Sequence, residues 1–126
     1  MPYLALDTTT DLTAADRRDC TNAFTELYTD IVETESDHVA VAVREQPTDA
    51  MALGRAVDGS IAVLSADIRR GRPFDQCRRF GLAVADWLHE GWGIPRPNLK
   101  TVFTEHDGSD LMGADRVDGE WSPDES

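Results

Sequence analysis

Lysine is almost absent from this chain. Lys100 is the only one in 126 residues; the other eleven bases are arginines, set against 24 Asp and Glu, and the formal net charge is −12. A surface this acidic repels phosphate backbones and anionic lipid, which excludes nucleic acid and acidic membranes as partners. An acid-rich, lysine-poor surface resembles that of a salt-adapted protein, in which charge serves solubility in brine. Cysteine is scarce too. Cys20 and Cys77 lie far apart, fit no metal-ligand spacing and fall among apolar neighbours. That predicts reduced, buried thiols rather than a disulfide. No apolar run approaches the ~20 residues of a membrane span. The N-terminal stretch lacks the basic region and long apolar core of a signal peptide, so the expected location is the cytoplasm.

What is present is enough for one small domain. Apolar residues make up 40% of the chain, and a core of that size gains from oligomerisation. Residues 2–7 are apolar without alternation and predict a strand buried on both faces. Thr13-Ala14-Ala15-Asp16 is a helix start of the capping-box kind. Cys20, Phe24, Leu27 and Ile31 then recur at helical spacing, which predicts a helix over 13–33. Val39, Val41 and Val43 share one face of a second strand, 38–45. A loop, 47–59, leads to a third strand over 60–68. Pro73 suits the first helical position of a second helix, 73–90, which Gly91, Gly93 and Pro95 terminate. Residues 99–104 form a fourth strand, and an acidic tail, 114–126, follows a short connection in which Leu111 and Met112, with Trp121 of the tail, are able to dock.

The order is βαβ (2–46), loop (47–59), βαβ (60–104). Each unit requires a right-handed crossover and gives a parallel strand pair. The expected fold class is α+β: a four-stranded sheet with two helices on one face, in a single domain over 1–113. The other sheet face then needs a cover, most simply other subunits.

Two groups of residues point to chemistry. Pro2 follows the initiator methionine; once Met1 is removed, Pro2 carries a free secondary amine. Such an amine takes up and releases a proton, and an apolar pocket disfavours its charged form. Arg69-Arg70-Gly71-Arg72 is the second group. A guanidinium is always charged and matches a carboxylate with two parallel hydrogen bonds. His38, His89 and His106 form no catalytic or metal constellation in the sequence, and the Asp-rich run 107–118 does not fit a calcium loop.

The penultimate proline, the doubled βαβ and the basic turn before the second helix coincide here. Leu12-Thr13, Glu45-Gln46-Pro47, Leu53-Gly54 and Phe103-Thr104-Glu105 stand in register with them. Over residues 2–113 the chain resembles the tautomerase superfamily, which includes 4-oxalocrotonate tautomerase and macrophage migration inhibitory factor. The nearest likeness is to the cis-3-chloroacrylate dehalogenase branch. The resemblance implies a homotrimer, no cofactor and no metal, with Pro2 as the catalytic group. It implies that Arg69 and Arg72 hold the carboxylate of a small substrate, with Arg70 pointing away. Tyr28 stands where the branch has a substrate-binding histidine. Departures are also plain: Val102 replaces a tyrosine, Gly113 falls where the branch has a water-activating glutamate, and Thr34 matches the lysine of the migration-inhibitory-factor branch. Asp110 or Asp115 replaces that glutamate only with a shift of register.

These residues lead to an expected tautomerase acting on a 2-oxo or 2-hydroxyalkenoic acid. The alternatives are hydratase, dehalogenase or decarboxylase chemistry on a 3-carbon acid, and an inactive trimeric binding protein. Retention of Met1 favours the last, because an acylated proline nitrogen has no basicity.

Overall fold

The computed structural model describes residues 1–115. Trp121 and most of the expected acidic tail lie outside them. The elements run β1 (Tyr3–Thr8), α1 (Ala14–Val32), β2 (Ala40–Glu45), β3 (Ala62–Arg69), α2 (Phe74–Trp92) and β4 (Leu99–His106). Short 3-10 turns at Ser36–His38, Thr48–Ala50, Arg96–Asn98 and Gly108–Asp110 link or follow them. The strand order is β2-β1-β3-β4. β1 and β2 are parallel, β3 and β4 are parallel, and the two pairs meet antiparallel through β1 and β3. This is the expected α+β architecture.

Alternation explains which side chains reach the core. Leu4, Leu6 and Thr8 of β1 and Ala62, Leu64, Ala66 and Ile68 of β3 are buried on one face. Against them α1 sets Cys20, Phe24, Tyr28 and Val32, and α2 sets Cys77, Phe80, Val84 and Leu88. Spacings of three and four place each set on one helical stripe. The helices meet through edge-to-face rings: Phe24 on Trp87 at 5.7 Å and Tyr28 on Phe80 at 5.1 Å.

Local signals set the boundaries. The Thr13 hydroxyl accepts from the Asp16 amide at 3.1 Å, and the Asp16 carboxylate accepts from the Thr13 amide at 2.9 Å, closing the capping box. Pro73 is the N-cap of α2 rather than its first helical residue. Gly93, at φ 69°, ends that helix. Buried Asn98 holds the long loop: its Oδ1 accepts from Val57 N at 2.8 Å, while its Nδ2 donates to the Val57 and Ser60 carbonyls at 2.8 and 2.9 Å.

Two expectations need correction. β1 is not buried on both faces: Tyr3 is 40% exposed and Asp7 is only half-buried. The odd-numbered side chains face away from both helices, and there Tyr3 and Asp7 are not fully covered by the described residues. Ala5 is buried there because its short side chain is shielded by adjoining strands. β4 also runs two residues further than expected and takes in His106. The His106 Nε2 lies 2.8 Å from Asp67 Oδ1, so this histidine belongs to the sheet.

Candidate active site

Strand direction gathers the expected residues at one end of the sheet. β1 begins where β2 begins and where β3 and β4 finish, because Tyr3 pairs with both Ala40 and Asp67, and Arg69 pairs with His106. The last turn of α1 and the first turn of α2 close over the same end. Pro2 sits at the entry to β1, buried, its carbonyl accepting from the Ala40 amide at 3.0 Å.

Pro2 lines a cleft of about 420 Å³ together with Met1, Asp37, His38, Asp110 and Gly113. Leu111 and Met112 also line this cleft; Leu111 is half-buried, whereas Met112 is exposed and does not dock. Met1 lies against Gly113. A Cβ at position 113 would fall 2.8 Å from the Met1 Cε, the tip of a flexible side chain that could swing aside.

The arginine corner forms a separate cluster. Arg72 is 9% exposed, and its Nη1 donates to the Val32 carbonyl at 2.8 Å. That carbonyl belongs to the last turn of α1, the negative end of the helix dipole, where a cation is favoured. Tyr28 is 2% exposed. Burial pushes its phenol up to about 12, opposed by the nearby charges of Arg72 and Arg69 and by a hydrogen bond with Arg72. Arg70 is exposed and pairs with Asp107, Nε to Oδ1, at 3.2 Å. The structure therefore brings Tyr28, Arg69 and Arg72 together and directs Arg70 at a surface acid. None of these four is among the residues that line the Pro2 cleft.

Burial also raises the Cys77 thiol, with a smaller push from Glu105. Both cysteines are free and buried, which makes them core residues rather than nucleophiles.

His38 is the residue the sequence did not single out. The 3-10 turn Ser36–His38 is fixed by the Val39 amide donating to the Ser36 carbonyl at 3.2 Å. It delivers His38 to the wall of the Pro2 cleft. Its Nε2 lies 3.5 Å from Asp37 Oδ1. Glu35, Asp37 and His38 bring one ligand-type atom each within 4.8 Å of one another, which corrects the expectation that His38 joins no constellation. Glu35 and Asp37 are exposed, so the group is a solvated acid–imidazole cluster at the cleft mouth. A signal was available: β2 runs parallel to β1, so a histidine just before β2 had to lie near the start of β1.

No protein-family profile and no curated protein matches this sequence. Solved structures do. N1, a member of the cis-3-chloroacrylic acid dehalogenase family, superposes with a TM-score of 0.83 at 19% identity, over 94% of this chain and 84% of that one. A malonate semialdehyde decarboxylase, studied for its decarboxylase and hydratase activities, gives 0.75 at 19% identity, over 90% and 92% of the two chains. Macrophage migration inhibitory factor of Toxoplasma gondii gives 0.77 at 16% identity, over 91% and 98%. The fold is that of the tautomerase superfamily.

No helix among the described residues is long and apolar enough to cross a membrane.

Proposed function

We propose that this protein is an enzyme of tautomerase type that uses the amine of Pro2 to move a proton on a small carboxylic acid, and that its reaction is addition of water to an unsaturated 3-carbon acid. The observation that carries this reading is the company Pro2 keeps. Water addition needs an acid to protonate one carbon and a base to deprotonate the water. The Pro2 cleft also contains Asp37, His38 and Asp110, so both kinds of group line one space. Simple keto–enol exchange needs less. The likeness to N1 and to the decarboxylase supports the same choice.

In this reading removal of Met1 frees the Pro2 nitrogen and empties the space against Gly113. Arg69 takes the substrate carboxylate. Arg72, held by Val32 and Tyr28, sets the corner's shape and adds positive charge, so Tyr28 acts on Arg72 rather than on substrate. Charge on the carboxylate grows as water adds, and a fixed guanidinium stabilises that growth. A homotrimer covers the open sheet face, where Ala5, Val63 and Val102 lie.

The test compares two reactions of the purified protein after intact mass has shown Met1 to be gone. Chloride release from cis-3-chloroacrylate is expected to exceed ketonisation of phenylpyruvate enol in kcat/KM. Ketonisation with no chloride release would return the assignment to a tautomerase, and neither reaction would leave a binding protein.

A further inference from the structure

The sequence offers no water-activating group at the position where the dehalogenase branch has one, since Gly113 stands there. The structure supplies a different one. We propose that His38, oriented by Asp37, is the base that activates water in the Pro2 cleft. This rests on the water-addition reading above.

Three observations converge on His38. The first is placement. His38 and Pro2 line the same cleft, from the entry of β2 and the entry of β1. The Pro2 carbonyl points toward β2, as its bond from Ala40 N shows. Pro2 thus lies level with the start of β2, and His38 stands two residues before that start.

The second observation is burial and support. The His38 side chain is 20% exposed, against 73% for Asp37. The ring is thus largely enclosed on the cleft wall, while its carboxylate partner reaches solvent. A carboxylate beside an imidazole fixes the ring's orientation and favours the imidazolium that forms when the ring takes a proton.

The third is chemistry. Asp110 is the other candidate base in the cleft, but it is exposed on the 3-10 turn after β4. Carboxylates are intrinsically weaker bases than imidazole by about two pKa units. A base that works near neutrality is better made from histidine.

The step balances without any further reagent. His38 takes a proton from water as the water oxygen bonds to C3 of the unsaturated acid, so one O–H bond breaks and one C–O bond forms. The C2–C3 π pair moves toward C2 and is delocalised onto the carboxylate. Protonated Pro2 then gives its proton to C2, breaking N–H and forming C–H. His38 and Pro2 recover their starting states by exchanging one proton through solvent. A 3-halo substrate gives the 3-halo-3-hydroxy acid, which loses hydrogen halide.

The experiment uses full-length, Met1-free protein carrying His38→Ala, His38→Gln or Asp37→Asn, each checked by thermal melting. Chloride release from cis-3-chloroacrylate and ketonisation of phenylpyruvate enol are measured for each. The proposal predicts that both His38 variants lose chloride release a hundredfold or more, the upper range for removing a general base, and lose it at least about tenfold more than ketonisation. Added imidazole restores part of the rate in His38→Ala. Asp37→Asn loses less, about tenfold, as expected for a positioning residue. Unchanged chloride release in the His38 variants overturns the proposal, as does equal loss of both reactions. The same assays on Pro2→Ala isolate the underlying reading: if that variant keeps both activities, the Pro2 site itself is wrong, whatever His38 does.

Discussion

Arg72 donates a hydrogen bond from Nη1 to the carbonyl oxygen of Val32 at 2.8 Å, which ties the turn between β3 and α2 to the C-terminal end of α1. The two ends are 40 residues apart in sequence. This contact gives Arg72 a part in stability. Arg72→Ala is expected to lower unfolding free energy by about 1.5–3 kcal/mol, the range for a hydrogen bond to a charged group. Arg69→Ala should reduce kcat/KM for a carboxylate substrate about tenfold to a hundredfold, since each factor of ten is about 1.4 kcal/mol. Urea titration and steady-state kinetics of the two variants check this. Equal melting with equal loss of turnover would mean that both arginines serve only the substrate.

Asp7 predicts an acid limit to stability. Arg44 holds its carboxyl below the usual carboxylate range through two contacts, Nε to Oδ1 at 3.0 Å and Nη2 to Oδ2 at 2.8 Å, with help from Gln46 at 2.9 Å. A carboxylate depressed on folding contributes stability above its unfolded pKa and loses it as pH falls through the folded value. The melting temperature should therefore fall more steeply between pH 5 and pH 2 in the wild type than in Asp7→Asn, about the window in which a paired Asp titrates. Parallel curves would remove Asp7 from the acid transition. The pair is half open to solvent, so its effect should shrink in molar salt.

The fold was legible because its signals are local and periodic. Cys20, Phe24, Leu27 and Ile31 recur at helical spacing, Val39, Val41 and Val43 alternate, and Pro73 and Gly93 mark the limits of α2. Pro2 and the arginine corner could be named as candidates from residue type alone. The place of His38 on the Pro2 cleft could not, because it comes from strand register: nothing local to Asp37-His38-Val39 says that β2 starts beside Pro2. The second face of β1 was misread for a related reason. An apolar run shows that a strand can be covered on both sides, not that one chain supplies the cover. The burial of Tyr28 and Arg72 was equally hidden, since it depends on how α1 ends over the turn into α2.

Assembly should depend on salt. Among the described residues, the sheet face bearing Tyr3 and Val102 is open, each of the two being 40% exposed. If a homotrimer covers it, copies of net charge −12 are brought together. Screening reaches about 3 Å at 1 M salt but about 30 Å at 0.01 M, so repulsion spreads as salt is removed. Sedimentation across that range should show trimers giving way to smaller species, with the melting temperature falling in parallel. A trimer that persists unchanged to millimolar salt would contradict a salt-adapted interface.

The central claim is that the Pro2 amine performs the proton transfer, and Pro2→Ala tests it most directly. Both proteins must first be shown by intact mass to lack Met1, so that each presents a free amine. The measured quantity is kcat/KM for cis-3-chloroacrylate in the variant relative to the wild type, with equal melting temperatures. Alanine offers a primary amine of different basicity and direction, and the account predicts a loss of a hundredfold or more. A ratio within about threefold, about 0.7 kcal/mol, would contradict it.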